Sequence, residues 1–277
     1  MNVPTRWQSA ILDALRVTGR ESITALAERL NVSDETVRRH LKDLVEQGAV
    51  HRVHGGVVLA GALAEPPFSR RIKERVAAKR AIAKAVAAQV ADGMTLLIDS
   101  GSTTTYVAEA LLQRSGLTVV TNSIEIARAL LGRSDCAVHL TGGALRADIG
   151  AAVGHEAIEL IREFRADLAI LSIGAVDPKD GYMDFDIDEA RVARTMIERA
   201  DRTIVAADAW KFTAKARVRV CGFEPIAMLV TDEPPPAPLD EKLEAAGTEL
   251  VLASVKPDAK PGPERKPTRA PKTHSIR

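Results

Sequence analysis

The stretch Val32–Val58, VSDETVRRHLKDLVEQGAVHRVHGGVV, places a capped basic helix directly before a glycine-tipped hairpin. Ser33 is a good N-cap, Asp34 and Glu35 suit the positive end of the helix dipole, and Gly48 stands where a C-terminal glycine belongs. The helix is predicted over roughly 34–47. Val37, Leu41, Leu44 and Val45 fall on one face at helical spacing and must pack on something. Arg39 and Lys42 then point outward, with Arg38 on the flank.

Upstream, Trp7, Ile11 and Leu15 recur every four residues and Gly19 closes that helix; Leu26 and Leu30 mark a second short helix, and Asn31 and Val32 turn the chain into the third. Residues 6–59 therefore read as three helices and a hairpin. A surface helix offering Thr36, Arg38, Arg39 and Lys42, with Ser33 at its start, has the width and the donors to enter a DNA major groove. In HRVHGGVV, Gly55 and Gly56 permit a tight turn, and His51, Arg52 and His54 set donors beside the duplex backbone as a wing.

The chain has 277 residues, 46% apolar and 27% charged but only 3% aromatic, which suggests about two domains with aliphatic cores. The N-terminus lacks the apolar region of a signal peptide, and AIAKAVAAQVADGMTLLID is broken by Lys84 and Asp92 short of a membrane span, so a cytoplasmic protein is expected. Cys136 and Cys221 stand alone, which reads as reduced structural thiols with no metal site. A net charge of +1 divides into +5 from Lys256 onward and −4 elsewhere. The Pro-rich tail, 256–277, is expected to be disordered. Pro66 and Pro67 punctuate a linker, giving 1–60 as a DNA-binding domain, 61–80 as linker and 81–255 as a second domain.

In that second domain, MTLLID, LTVVT, AVHL, LAILSIG, TIVAAD, IAMLVTD and ELVLA are apolar runs of the buried parallel-strand type, and they alternate with helical segments. This is the pattern of an open α/β sheet. Loops at strand ends then supply candidate groups for an anion: Gly101, Ser102, Thr103 and Thr104 at a helix start, Asn122 and Ser123, Gly142 and Gly143, and the cations Arg146 and Lys211. No Walker loop is present, because Gly-Lys-Ser/Thr is missing. In DFDIDEA the spacing fails as a calcium loop, so Asp186, Asp188 and Glu189 either favour the following helix start or accept hydrogen bonds from ligand hydroxyls. HEAIE at His155 lacks the second His of a zinc protease and reads as a helix start.

The segment RWQSAILDALRVTGRESITALAERLNVSDETVRRHLKDLVEQGAVHRVHGG resembles the winged helix-turn-helix of DeoR-type bacterial transcriptional repressors. His40 departs from that pattern, where the family usually carries Asp. The stretches DSGSTT, VTNS, LTGGALR, FDIDEARVARTMIERA and ADAWKF are similar to the effector domain of the same family, which is like sugar-phosphate isomerases in fold. GAVDPKDGYMDFDIDEARVARTMIERA and VTDEPPP look more narrowly like the members that govern glycerol 3-phosphate use, although Ala193 stands where Lys is common. The resemblance implies a repressor of a sugar or polyol operon, acting as a homodimer or homotetramer on double-stranded operator DNA and released by a phosphorylated metabolite, with glycerol 3-phosphate foremost. It implies no cofactor and no catalytic residue. Taken by type alone, Lys211, Asp208 and Glu189 also suit a phosphosugar isomerase with a DNA-binding appendage, but such an enzyme has no use for the first domain.

Overall fold

Seven of the apolar runs form one sheet, and every pairing in it is parallel. In spatial order the strands are Glu249–Leu252, Met228–Thr231, Ala200–Ala206, Ala166–Leu171, Thr95–Ile98, Thr118–Thr121 and Ala137–Leu140. The computed structural model describes residues 5–18, 20–46, 49–53, 56–59, 65–132 and 135–254, without the side chains of 16, 17, 20, 51–53, 58 and 59.

Both faces of the sheet are covered, which is why its strands read as nearly continuous apolar runs. Leu97 enters one apolar layer with Ile161 of the helix His155–Arg162 and Met196 of Ile187–Arg199. Its neighbours Leu96 and Ile98 enter the opposite layer, with Ile82 and Val86 of Val76–Ala87, Val107 of Ser102–Ala110 and Ile126 of Ile124–Leu130. The fold is thus a doubly wound α/β unit, as the strand pattern predicts. Two small antiparallel sheets are added to it: Ala175–Asp177, Gly181–Asp184 and Val218–Cys221 in one, Ala144–Arg146 and Ala151–Val153 in the other.

The N-terminal unit has helices Arg6–Thr18, Ile23–Leu30 and Asp34–Glu46, then antiparallel strands Val50–Val53 and Gly56–Leu59, with Arg20–Glu21 as a third strand. Ile11, Leu15, Leu26, Val37, Leu41 and Leu44 form its core, the stripe predicted from spacing; Val45 is only partly buried. Gly19, Gln47 and Gly48, expected at helix ends, lie outside the described residues, as does the tail from 255.

Residues 65–80 do not form a free linker. Phe68 N–H donates to the Asp148 carbonyl (2.9 Å), the Tyr106 hydroxyl donates to the Ile72 carbonyl (2.9 Å), and Arg71 and Lys79 are buried. Two adjoining prolines imply an exposed connector, yet this segment packs on the α/β unit because its charged side chains find partners there. Among the described residues no helix is long and apolar enough to cross a membrane.

Candidate functional site

Two regions gather the predicted residues. In the N-terminal unit, the Ser33 hydroxyl accepts the Thr36 amide (3.3 Å) and lies 2.9 Å from the Thr36 hydroxyl, so these two residues cap the third helix. Asn31, in the left-handed conformation with φ 51°, closes the preceding helix. Gln8 Nε2 donates to Asp43 Oδ2 (3.2 Å) and the Thr24 hydroxyl to Asp34 Oδ2 (3.3 Å), which pins the third helix against the other two. Arg38, Arg39 and Lys42 are left exposed on its outer side, Lys42 with only a loose contact to Glu46 at 4.0 Å. His40 lies on the flank, and its Nε2 is buried without a hydrogen-bond partner among the described residues. The hairpin is present, with Val53 opposite Gly56, and a Cβ on Gly56 would meet the Glu21 carbonyl oxygen at 2.4 Å. The side chain of Arg52, and His54 and Gly55 altogether, lie outside the described residues.

The second region follows from the sheet order. Strand order reverses between Thr95–Ile98 and Ala166–Leu171, and a crevice opens at the carboxyl ends of such a strand pair. Here the first strand runs into Asp99, Ser100 and Gly101, and the second into Ser172. Asp99 Oδ1 accepts the Ser172 amide (2.8 Å), while burial pushes the Asp99 carboxyl well above the usual carboxylate range against that hydrogen bond. A Cβ on Gly101 would lie 2.0 Å from Ser172 Oγ, so only glycine lets the two loops touch. The helix Ser102–Ala110 starts there, with Ser102 lining the cleft. Thr103 is buried in the same turn. Thr104 was a candidate phosphate ligand, but its hydroxyl is directed at the Asp99 and Gly101 carbonyls (2.9 and 3.1 Å) and serves the turn instead.

Lys211 stands where the sequence places it, in the cleft wall, but it is not free. Its Nζ lies 2.9 Å from Glu65 Oε1, and Arg71 Nη2 lies 3.0 Å from Glu65 Oε2. All three side chains are 9–10% exposed, so one carboxylate bridges two cations in a nearly closed site. Beside them Arg75 Nε contacts Asp208 Oδ1 at 3.2 Å, and Lys79 Nζ donates to the Arg71 carbonyl. The Trp210 ring faces both Arg75 (5.1 Å) and Lys211 (5.2 Å). Burial, relieved by Asp208 but reinforced by Arg75, Lys211 and Arg71, lowers Lys79 to about 8. Arg75 itself takes a left-handed backbone, φ 49°, at the join between Phe68–Arg71 and Val76–Ala87.

Two carboxyls, buried Asp184 and partly buried Glu189, sense the charges of this site. Burial pushes both Asp184 and Glu189 upward, Glu189 with Asp184 and Glu65 as the next causes. Asp186 caps the helix Ile187–Arg199 by accepting the Asp188 and Glu189 amides (2.9 and 3.3 Å), the capping role given to it from sequence.

Other predicted ligands are spent within the protein. Arg146 pairs with Asp186 (2.6 Å) and Asp148 (2.5 Å), which raise its pKa further, so it is a strut between loops and not an unsatisfied cation. Ser123 accepts the Ile126 amide as a helix cap (3.3 Å). Gly143, at φ +116°, turns against the Val153 carbonyl, 2.5 Å from where a Cβ would sit, and Gly142 precedes it in the same loop. Asn122 Nδ2 donates to the Ala152 carbonyl (3.0 Å) and reaches Ser100 Oγ (3.4 Å), leaving its buried Oδ1 without a partner among the described residues. Among the described residues no group of His, Cys, Asp and Glu side chains is arranged to hold a metal ion.

Sequence reading missed Glu65, Arg71, Arg75 and Lys79. The available signal was the four-residue spacing of Arg71, Arg75 and Lys79 running into the Ala-rich helix, in a segment expected to be a linker.

Comparison with known proteins gives two family matches. Residues 74–233 match the DeoR C terminal sensor domain, and residues 8–61 match the DeoR-like helix-turn-helix domain. The chain is 37% identical to the HTH-type transcriptional repressor CsqR of Escherichia coli over 84% of this chain and 90% of that protein. It is 34% identical to the Glycerol-3-phosphate regulon repressor of Escherichia coli over 90% of this chain and 98% of that protein. Among solved structures, ribose 5 phosphate isomerase A from Neisseria gonorrhoeae overlaps 50% of this chain and 53% of its own, at 16% identity and a TM-score of 0.36.

Proposed function

The chain belongs to the DeoR family and is a transcriptional repressor, not an enzyme; on that premise we propose that it represses a sugar or polyol catabolic operon and is released from DNA by a phosphorylated metabolite, glycerol 3-phosphate foremost. The observation that carries the first half is the third helix, capped and pinned so that Arg38, Arg39 and Lys42 project from it. In this reading Ser33, Thr36, Arg38, Arg39 and Lys42 meet the major groove and phosphates, and Arg52, His54 and Gly55 form the wing. A homodimer or homotetramer presents two such helices to paired half-sites. Residues 1–60 bind DNA, and the α/β unit, including 65–80, senses and oligomerises.

The second half rests on the cleft. Ser102 and Lys211 line it; in this reading the helix start at Gly101, Ser102 and Thr103, the amide of Asn122, Glu189 and the cations including Lys211 hold the effector, a set suited to a phosphate at one end and hydroxyls at the other. Release requires the metabolite to bind the DNA-incompetent state more tightly; a coupling of about 1 to 3 kcal/mol changes operator affinity roughly 5- to 150-fold. The test is fluorescence anisotropy at fixed salt with DNA from upstream of the gene, with and without glycerol 3-phosphate. Tight binding that glycerol 3-phosphate weakens is the expected result. Indifference to glycerol 3-phosphate would transfer the effector role to another phosphorylated sugar, and absence of specific binding would overturn the reading.

A further inference from the structure

The cleft holds more positive than negative charge, and one of the carboxylates that balance it, Glu65, comes from the segment leading out of the DNA-binding unit. Among the described residues the ion pairs of Arg71, Arg75 and Lys211 are to Glu65 and Asp208, and Asp208 also faces Lys79; Glu74 lines the same cleft. Asp208 is a fixture of the cleft wall, its carboxylate accepting the Trp210 amide as a cap (3.2 Å). Glu65 is different. It belongs to no helix or strand, and its two oxygens are divided between a cation of its own segment, Arg71, and one 146 positions away, Lys211.

A carboxylate with one oxygen on each of two cations is the geometry with which those cations would take two oxygens of a phosphate monoester. From this juxtaposition we propose that the seat of the effector's phosphate is the Arg71–Lys211 pair, and that Glu65 is an internal anion which occupies that seat until the effector displaces it. The proposal rests on the effector reading given above and adds to it the phosphate subsite and the group that competes for it. A phosphate dianion brings twice the charge of Glu65 to a site whose neighbouring ammonium, Lys79, is already crowded by like charges, so the exchange is favourable where simple addition would force two anions together.

The exchange also has a mechanical consequence. Only residues 60–64 separate Glu65 from Leu59, the last residue of the wing hairpin, and a tether that short reaches roughly 20 Å when fully extended. Expelling Glu65 therefore moves the anchor point of the DNA-binding unit. Both DNA-competent and effector-bound states are then defined by which anion holds Arg71 and Lys211.

The test is binding of inorganic phosphate and of glycerol 3-phosphate to the full-length wild type, Glu65→Gln and Glu65→Asp, read by tryptophan fluorescence, with Trp210 on the cleft wall as reporter, and by calorimetry. An internal competitor lowers apparent affinity by the fraction of molecules in which it vacates the site. Glu65→Gln is expected to bind both probes roughly tenfold more tightly than wild type, and Glu65→Asp, too short to bridge both cations, to fall between. Should Glu65→Gln be too unstable to isolate, a melting temperature for Glu65→Asp that phosphate raises further than it raises that of the wild type reads the same competition. Wild-type binding that Glu65→Gln and Glu65→Asp leave unchanged or weaken would overturn the proposal while leaving the effector site standing. Failure of all three proteins to bind either probe would overturn the proposal and remove glycerol 3-phosphate as the effector.

Discussion

At the scale of single residues, the cleft is shaped by close approaches that only particular side chains allow. Gly101 is the clearest. Its backbone is extended, an ordinary conformation, so glycine is required there by space and not by dihedral angle: a Cβ would sit 2.0 Å from Ser172 Oγ and 2.6 Å from Ser172 Cβ. Gly101→Ala is expected to lower stability by about 1 to 3 kcal/mol, the ordinary range for overpacking, and to weaken effector binding by forcing the two loops apart. Urea denaturation with a parallel binding titration checks this; unchanged stability would mean that Ser172 swings clear at no cost. Arg146 teaches the opposite lesson. A cation in a Gly-rich loop looked available in the sequence, yet Asp148 two positions on was already its partner in waiting, and Asp186 completed the pair.

At the scale of elements, the third helix shows why much of the DNA-binding unit could be read before it was seen. Its cap, its buried stripe and its outward cations are all set by neighbours within one or two turns, so local spacing suffices. Arg39→Ala should cost roughly 1 to 3 kcal/mol of operator affinity with the fold intact, if a bidentate base contact is lost. Anisotropy at constant salt measures the loss and circular dichroism the fold, and full retained affinity would remove Arg39 from the reading face. The inner strands of the large sheet were equally legible because burial on both faces makes them mostly apolar, while the edge strands Ala137–Leu140 and Glu249–Leu252 are largely exposed. The strands Ala175–Asp177 and Gly181–Asp184 were not: at three and four residues, with an acid ending each, they carry no period to read. Residues 65–80 misled for a related reason. Local pattern gives a buried Arg or Lys the same signature as a solvated one; here Arg71 is held by Glu65, and Lys79 by the Arg71 carbonyl and by the charge of Asp208, which lies far along the chain.

At the scale of the whole molecule, the cleft links charge on the sensor to the position of the connector, and that link has a pH signature. Lys79 is lowered to about 8 by burial with Arg75, Lys211 and Arg71 facing it, partly relieved by Asp208. A bound phosphate adds negative charge and raises that value, so above about pH 8 binding must draw in a proton. Affinity for a phosphorylated ligand is therefore expected to fall as pH rises through about 8, with net proton uptake in calorimetry repeated in buffers of different ionisation enthalpy. Pure release of protons, or a flat profile from pH 7 to 9, would place the anion away from Lys79. This level was the least legible in the sequence, since a site assembled from positions 65, 71, 79, 184, 189 and 211 exists only once the sheet has brought them together.

The order of strands in the large sheet also sets a schedule. The first of its strands to be made, Thr95–Ile98, gains one neighbour at Thr118–Thr121 but the other only at Ala166–Leu171, and the cleft is not complete until Lys211 has been made. Domains fold as they emerge during synthesis, N-terminal first, at about 5 to 20 residues per second. The interval between Leu59 and Lys211 thus lasts roughly 8 to 30 s on a ribosome. Throughout it the nascent chain carries a finished third helix but neither the completed large sheet nor the completed cleft, so a ribosome stalled within that interval would yield a fragment whose outward cations no ligand of the cleft could influence.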